Sequence, residues 1–224
     1  MKKTIILFLA ITLLVSCCFI SCGNKENKAY EKLNIAAQNV TKIASAIKGG
    51  WWFSIDNTYY SENEVRKYYV RDFSKAIGFS EESVRTAYIE LNTGSSIIPY
   101  FKQQYANAKE GEFGYEYYSV ALAKFQNDTQ STDKIFALIN QVLKNEGLLE
   151  LTETNINSAY EAVKKVSKKS AHYNDISTYY AEISTCYKNC QNPSGSYVDF
   201  SNMVQNYSEN ISKLDAKLSV SYKK

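Results

Sequence analysis

From residue 29 to residue 48 the apolar positions are Leu33, Ala36, Ala37, Val40, Ile43, Ala44 and Ile47. They recur in steps of three and four, which puts them on one stripe of a helix. Gly49-Gly50 follows and is expected to end that helix, because glycine readily takes the left-handed closing conformation. Ser61 and Glu64 have the spacing of a capping box. The helix they open carries Val65, Tyr68, Tyr69, Phe73, Ala76 and Ile77, and Gly78 closes it. Ser80 opens a further helix with Val84, Ala87, Tyr88 and Leu91, ended by Gly94. Pro99 suits a first helical turn, where its missing N–H costs nothing. The stretch after it holds Phe101, Tyr105 and Ala108, is interrupted at Gly111 and Gly114, and resumes through Tyr115, Tyr118, Leu122 and Phe125. Residues 126–131 read as a polar loop. Thr132 and Asp133 start a helix bearing Ile135, Phe136, Ile139, Val142 and Leu143, with Gly147 at its end.

Residues 148–192 contain neither glycine nor proline. A stripe runs through Ile156, Tyr160, Val163, Ser167, Ser170, Tyr173, Ser177, Tyr180, Ile183, Tyr187 and Cys190. That phase predicts one helix from Glu153 to Cys190, ~57 Å long at about 1.5 Å per residue. Its weakest segment is 170–175. Residues 192–196, Asn-Pro-Ser-Gly-Ser, are a turn. The last helix carries Phe200, Met203, Val204, Tyr207, Ile211, Leu214 and Leu218 and returns antiparallel to the long one. In that pairing Tyr187 lies near Phe200, Ile183 near Val204, and Val163 near the chain's end. The expected fold is all-α: an elongated helical bundle with a long antiparallel C-terminal helical hairpin, forming a single helical domain over 29–224.

The first residues follow a different rule. Lys2 and Lys3 precede an apolar run from Ile5 to Ile20, and the chain turns polar at Gly23-Asn24-Lys25-Glu26. A membrane span needs about 20 apolar residues, so this run has the length of an export signal's core. Two strings, Leu14-Val15-Ser16-Cys17 and Phe19-Ile20-Ser21-Cys22, each place small or apolar residues before a cysteine. This N-terminus resembles that of bacterial lipoproteins, in which such a cysteine is acylated and becomes the first mature residue. Leu14–Cys17 fits the box pattern better. Cleavage there, however, would leave Cys18, Phe19 and Ile20 where the chain must leave the bilayer, so Cys22 is favoured and Cys17 is the alternative. The resemblance implies a signal peptide at 1–21, a lipidated tether at 22–28, and a place in the cell envelope on the outer membrane or cell surface. Several acyl chains on one cysteine, at about 0.8 kcal/mol per buried methylene, hold effectively permanently.

Composition narrows the possible activities. The chain has 26 basic and 23 acidic residues, and loss of Lys2 and Lys3 with the signal would leave 24 and 23. A balance so near neutral argues against an electrostatic nucleic-acid binder. His172 is the sole histidine. The Ser-x-x-Lys strings at Ser45 and Ser131 lack the companion motifs of serine acyl-enzymes. No phosphate-binding glycine loop or calcium loop is present. No catalytic residues, metal ligands or cofactor are expected, and the chain reads as non-enzymatic. Cys186 and Cys190 stand one helical turn apart. They are either a disulfide, which the oxidising compartment permits, or two half-buried thiols.

Tyrosine is the unusual component: there are 19, four pairs of them adjacent. Tyrosine offers contact area with a polar tip and suits both helix boundaries and recognition surfaces. Trp51, Trp52 and Phe53 form the densest apolar cluster outside the helical stripes, with Tyr59 and Tyr60 close behind. They are the candidate binding residues. The leading expectation is a membrane-anchored lipoprotein presenting a Tyr-rich helical surface to a protein, glycan or host molecule. The alternative is a solute-binding protein with an aromatic pocket near Trp51 and Trp52. Replacing Cys22 with Ala is expected to abolish acylation and leave unprocessed precursor. Mass spectrometry finding lipid on Cys17 would move the cleavage to the first box.

Overall fold

The computed structural model describes residues 2–56, 69–93, 125, 128–129 and 131–222, with side chains from Lys25 onward. The helices are α1 (Lys2–Ile55), α2 (Val70–Ile77), α3 (Glu81–Thr93), α4 (Thr132–Asn145), α5 (Leu148–Val163), α6 (Tyr173–Gln191) and α7 (Tyr197–Tyr222). No strand occurs among the described residues, and the chain is an all-α helical bundle. The readings placed on Ser61, Glu64, Gly94, Pro99, Gly111 and Gly114 lie outside the described residues. Within the expected loop at 126–131, Asp128 and Thr129 are helical.

The chain separates into two compact units. The first combines residues 1–41, 151–191 and 205–224. In it, the later part of α7 runs antiparallel to both α1 and α6, and α5 runs antiparallel to α6. Along α1 and α7, the Tyr30 hydroxyl donates to Asp215 (2.5 Å) and the Tyr207 hydroxyl to the Ala37 carbonyl (3.2 Å). Along α6 and α7, Asn210 donates to Glu182 (3.2 Å) and Lys217 pairs with Asp175 (2.8 Å). The C-terminal hairpin therefore runs in the expected direction, with a shifted register. The end of α7 meets His172, whose ring lies 5.5 Å from that of Tyr222, rather than Val163. Leu33, Ala36, Val40, Ala159, Ile176 and Ile183 are fully buried.

The expected single helix from Glu153 to Cys190 is two helices folded back on each other. Tyr187 on α6 donates to Glu153 on α5, and the rings of Tyr160 and Tyr180 lie 5.4 Å apart. Between them the ladder is replaced by tight turns, Val166 N–H to the Val163 carbonyl (3.0 Å) and Ser170 N–H to the Ser167 carbonyl (2.9 Å). The Ser167 and Ser170 hydroxyls accept from the N–H groups of Lys169 and His172. Serine side chains offer the backbone such alternatives to a helical ladder. Four lysines stand at 164, 165, 168 and 169, and like charges a turn apart disfavour continuation. The apolar stripe kept its phase across 163–176 only because Ser167 and Ser170 happened to occupy its positions; the one buried side chain between Val163 and Ile176 is Val166. Residues 25–28, expected in the tether, are helical and belong to α1.

The second unit combines residues 42–150 and 192–204. Here Gly49-Gly50 does not end α1, which runs on to Ile55. A Cβ on Gly49 would sit 1.9 Å from the Ala76 carbonyl oxygen, and one on Gly50 would sit 2.5 Å from the Ile139 Cδ1. The glycines are there to let α2 and α4 close onto α1. Gly78, with φ 73°, does close α2 as expected: Phe79 N–H reaches the Ser74 carbonyl (3.0 Å) and Gly78 N–H that of Lys75 (3.2 Å). Ser80 caps α3 by accepting from the Ser83 N–H at 3.1 Å. Ser196 and Asp199 cap α7 reciprocally, Asp199 N–H to Ser196 Oγ (3.1 Å) and Ser196 N–H to Asp199 Oδ2 (3.3 Å).

The Gly49 approach yields a test. Gly49→Ala is expected to lower stability by about 1–3 kcal/mol or more, the range for overpacking. At about 2–4 °C per kcal/mol this is readily seen in thermal unfolding. Ser45→Ala, on the exposed side of the same helix, is expected to leave the midpoint nearly unchanged. Equal midpoints for the two variants would show that α1 and α2 do not cross so closely.

Candidate functional site

Trp51, Trp52 and Phe53 lie within the last turns of α1, not in a segment after the helix. Successive helical residues point about 100° apart, so the three rings fan out in three directions. Trp51 turns inward and is 6% exposed. Its ring meets Phe136 edge-on at 4.9 Å, Tyr197 at 6.2 Å and Phe200 at 5.6 Å. Phe53 turns toward α2 and meets Tyr69 (5.0 Å) and Phe73 (5.5 Å), both edge-on. There it joins a cluster in which Phe125 touches Tyr69, Phe73 and Tyr88. The polar tips of that cluster are satisfied: the Tyr69 hydroxyl bonds Thr129 Oγ1 (2.6 Å), and the Tyr88 hydroxyl donates to Asp128 (2.9 Å). Burial and the neighbouring Asp128 carboxylate push the Tyr88 hydroxyl well above its ordinary range.

Trp52 turns outward and is 49% exposed. Its one ring partner among the described residues is Tyr197, 5.3 Å away and tilted by 42°. Tyr197 thus meets both tryptophans. One turn along α1 from Trp52 is Ile55, 44% exposed, and next to Tyr197 is Val198, 61% exposed. Trp52 and Ile55 thus share an exposed face of α1, with the half-buried Tyr197 ring against Trp52. Such a surface stacks against a sugar ring or an apolar side chain and supplies a hydrogen bond at its edge. The Ser196 hydroxyl and backbone N–H hold the Asp199 carboxyl beside it below the ordinary carboxylate value. Tyr59 and Tyr60 lie outside the described residues.

The remaining sequence candidates sit elsewhere. Cys186 and Cys190 are buried free thiols on α6. Hydrogen bonding with Cys186, followed by burial, raises the Cys190 thiol far above its ordinary value and keeps it protonated. His172, at the start of α6, lies 3.4 Å from the Ser221 hydroxyl and packs against Tyr222. Among the described residues no group of three or more His, Cys, Asp or Glu side chains is placed to hold a metal ion. Tyr197 was not singled out from the sequence. Its only signal is an aromatic ring at the first position of α7, immediately after the Pro193–Ser196 turn.

No protein-family model, curated protein or solved structure matches this chain.

The two tryptophans are expected to separate in a stability measurement. Trp51→Ala removes an enclosed ring and costs about 3–5 kcal/mol, whereas Trp52→Ala, half in solvent, costs far less. Denaturant unfolding of both variants checks this; equal losses would mean that Trp52 is as much a packing residue as Trp51.

Proposed function

We propose that the protein is a bacterial lipoprotein of the cell envelope, held to a membrane through acylated Cys22. In this reading it is non-enzymatic and presents a Tyr-rich helical surface to a protein, glycan or host molecule. The observation that carries the reading is the exposed Trp52 ring set against the half-buried Tyr197, with Ile55 and Val198 exposed nearby in the chain. Exposed clusters of large apolar side chains are uncommon on surfaces that contact only water, and Trp and Tyr are the residues that most often dominate binding energy. The enclosure of Trp51 by Phe136, Tyr197 and Phe200 supports surface recognition over an aromatic pocket, since those rings fill the space a solute would take. The lipobox residues at Cys22 support the anchor.

The test is photo-crosslinking in intact cells. A photoreactive aromatic residue in place of Trp52 is expected to give an adduct of discrete mass. The same residue in place of Glu150, on exposed helix surface, is expected to give none. Protease shaving of the same cells then assigns the partner to the outer surface or to the periplasm. If Trp52 gives no adduct, and purified protein shows no change in tryptophan fluorescence with envelope glycans, the surface reading falls.

A further inference from the structure

One end of the first unit gathers a set of lysines from two distant parts of the sequence. Lys25, Lys28 and Lys32 occupy one face of α1, at spacings of three and four. The turn between α5 and α6 supplies Lys164, Lys165, Lys168 and Lys169. Lys25, Lys28, Lys32 and Lys165 line one groove of about 360 Å³. Its single acidic lining residue, Glu161, is taken up by Lys164 at 3.0 Å.

Of the other acids here, Asp175 has a cationic partner and Glu26 and Glu31 have neutral ones. Glu26 accepts from the Tyr222 hydroxyl, Asp175 pairs with Lys217, and Glu31 accepts from Asn27 at 3.2 Å. Lys25, Lys28, Lys165, Lys168 and Lys169 are exposed, Lys32 is half-buried, and none of the six makes an ion pair with a described residue. The bonds from Tyr222 and Asn27 leave the Glu26 and Glu31 charges in place, yet lysines still outnumber acids at this end, and a local excess of like charge opposes folding.

The position of the cluster indicates what compensates it. Lys25 is three residues beyond Cys22 in the same helix and Lys32 ten, axial rises of ~4.5 and ~15 Å. Charges so close to an anchored residue fall partly within the ~8 Å screening length of a leaflet. We propose that these lysines form a contact surface for the anionic headgroups of a membrane; the proposal rests on the reading of Cys22 as the anchored residue. The α1 lysines provide the part nearest the lipid, and the α5–α6 turn widens it. The anchor fixes the chain to the bilayer, and the lysines set how this end of the bundle rests on it. A juxtamembrane basic segment is attracted to an acidic leaflet with a gain of about fivefold in affinity per lysine.

The full acylated chain in vesicles tests this. Vesicles of phosphatidylcholine, with and without phosphatidylglycerol, are pulsed with an amine-reactive label, and each lysine is read by mass spectrometry. Labelling of Lys28, Lys32, Lys165, Lys168 and Lys169 is expected to drop severalfold when phosphatidylglycerol is present and to recover in high salt. Lys188, ~24 Å along α6 from His172, is expected not to change. The combined variant Lys28→Gln, Lys32→Gln, Lys165→Gln is expected to retain its helical circular dichroism. With surface affinity reduced on the order of a hundredfold, it is also expected to lose protection at Lys168 and Lys169. Equal labelling in the two kinds of vesicle would overturn the proposal. So would the same protection produced by inorganic phosphate over neutral vesicles, which would make the groove a small-anion site. The acyl group is read in the same digest. Acylated Cys22 with unprotected lysines overturns the contact surface alone; protected lysines with the acyl group found on Cys17 support the surface and overturn the anchor at Cys22.

Discussion

The second unit depends on the absence of two β-carbons. At Gly49 the backbone of α1 meets the Ala76 carbonyl with no room for a side chain, and at Gly50 it meets Ile139 and Ile77. Interiors are packed too densely for that approach to be loosened without a void or a shift of a whole helix. Because α1 continues through the crossing, the residues after it inherit the helix's phase. Trp51 is thereby aimed at Phe136 and Phe200, Phe53 at Phe73, and Trp52 at solvent. Helical rotation beyond that point turns Trp52 and Ile55 outward, and the turn before α7 brings Tyr197 against Trp52.

A second organising device is the tyrosine hydroxyl. Helical bundles usually bury aliphatic stripes, but this chain puts phenols at the seams between its helices. Tyr179 donates to Asn34 (2.7 Å), Tyr207 to the Ala37 carbonyl, and Tyr30 to Asp215. Each bond satisfies a polar tip that would otherwise be expensive to bury, and a donor aimed at one acceptor fixes axial register in a way that interchangeable methyl groups do not. Burial, with the Glu153 carboxylate nearby, pushes the Tyr187 hydroxyl up to about 12, so it stays a donor at any physiological pH. The near absence of proline and glycine within these helices leaves register to be set by side chains, and the tyrosines set it.

Much of the architecture is legible in the spacing of apolar residues. The stripe from Leu33 to Ile47, the caps at Ser80 and Gly78, and the Gly147 and Asn192–Ser196 boundaries all fall where periodicity and cap chemistry place them. The misreadings share a cause: one residue type serves two physical ends. Glycine stops helices and also lets them touch; Trp51, four beyond Ile47 and eight beyond Ile43, carried the signal that the stripe went on. Serine fills a helical face and also turns a chain; the lysines around Ser167 were the sign that it turned. In the candidate site, the aromatic concentration at 51–53 is visible locally. Its division into one inward, one outward and one lateral ring is not, and Tyr197 comes from a distant part of the chain that no local pattern connects to Trp52.

The threading of the first unit also fixes an order of events in time. Tyr30 finds its acceptor 185 residues later, and Glu26 its donor 196 residues later. Between them lie the segments assigned to the second unit. A ribosome releasing this chain exposes the opening helix long before anything that covers its apolar face exists, so the first unit closes only when the last turn of α7 has emerged. Such late, non-local closure slows folding. In an ordinary resident protein that delay is a hazard. Under the proposed lipoprotein reading, in which the chain crosses a membrane as an open strand, the same delay would keep it threadable until it has arrived.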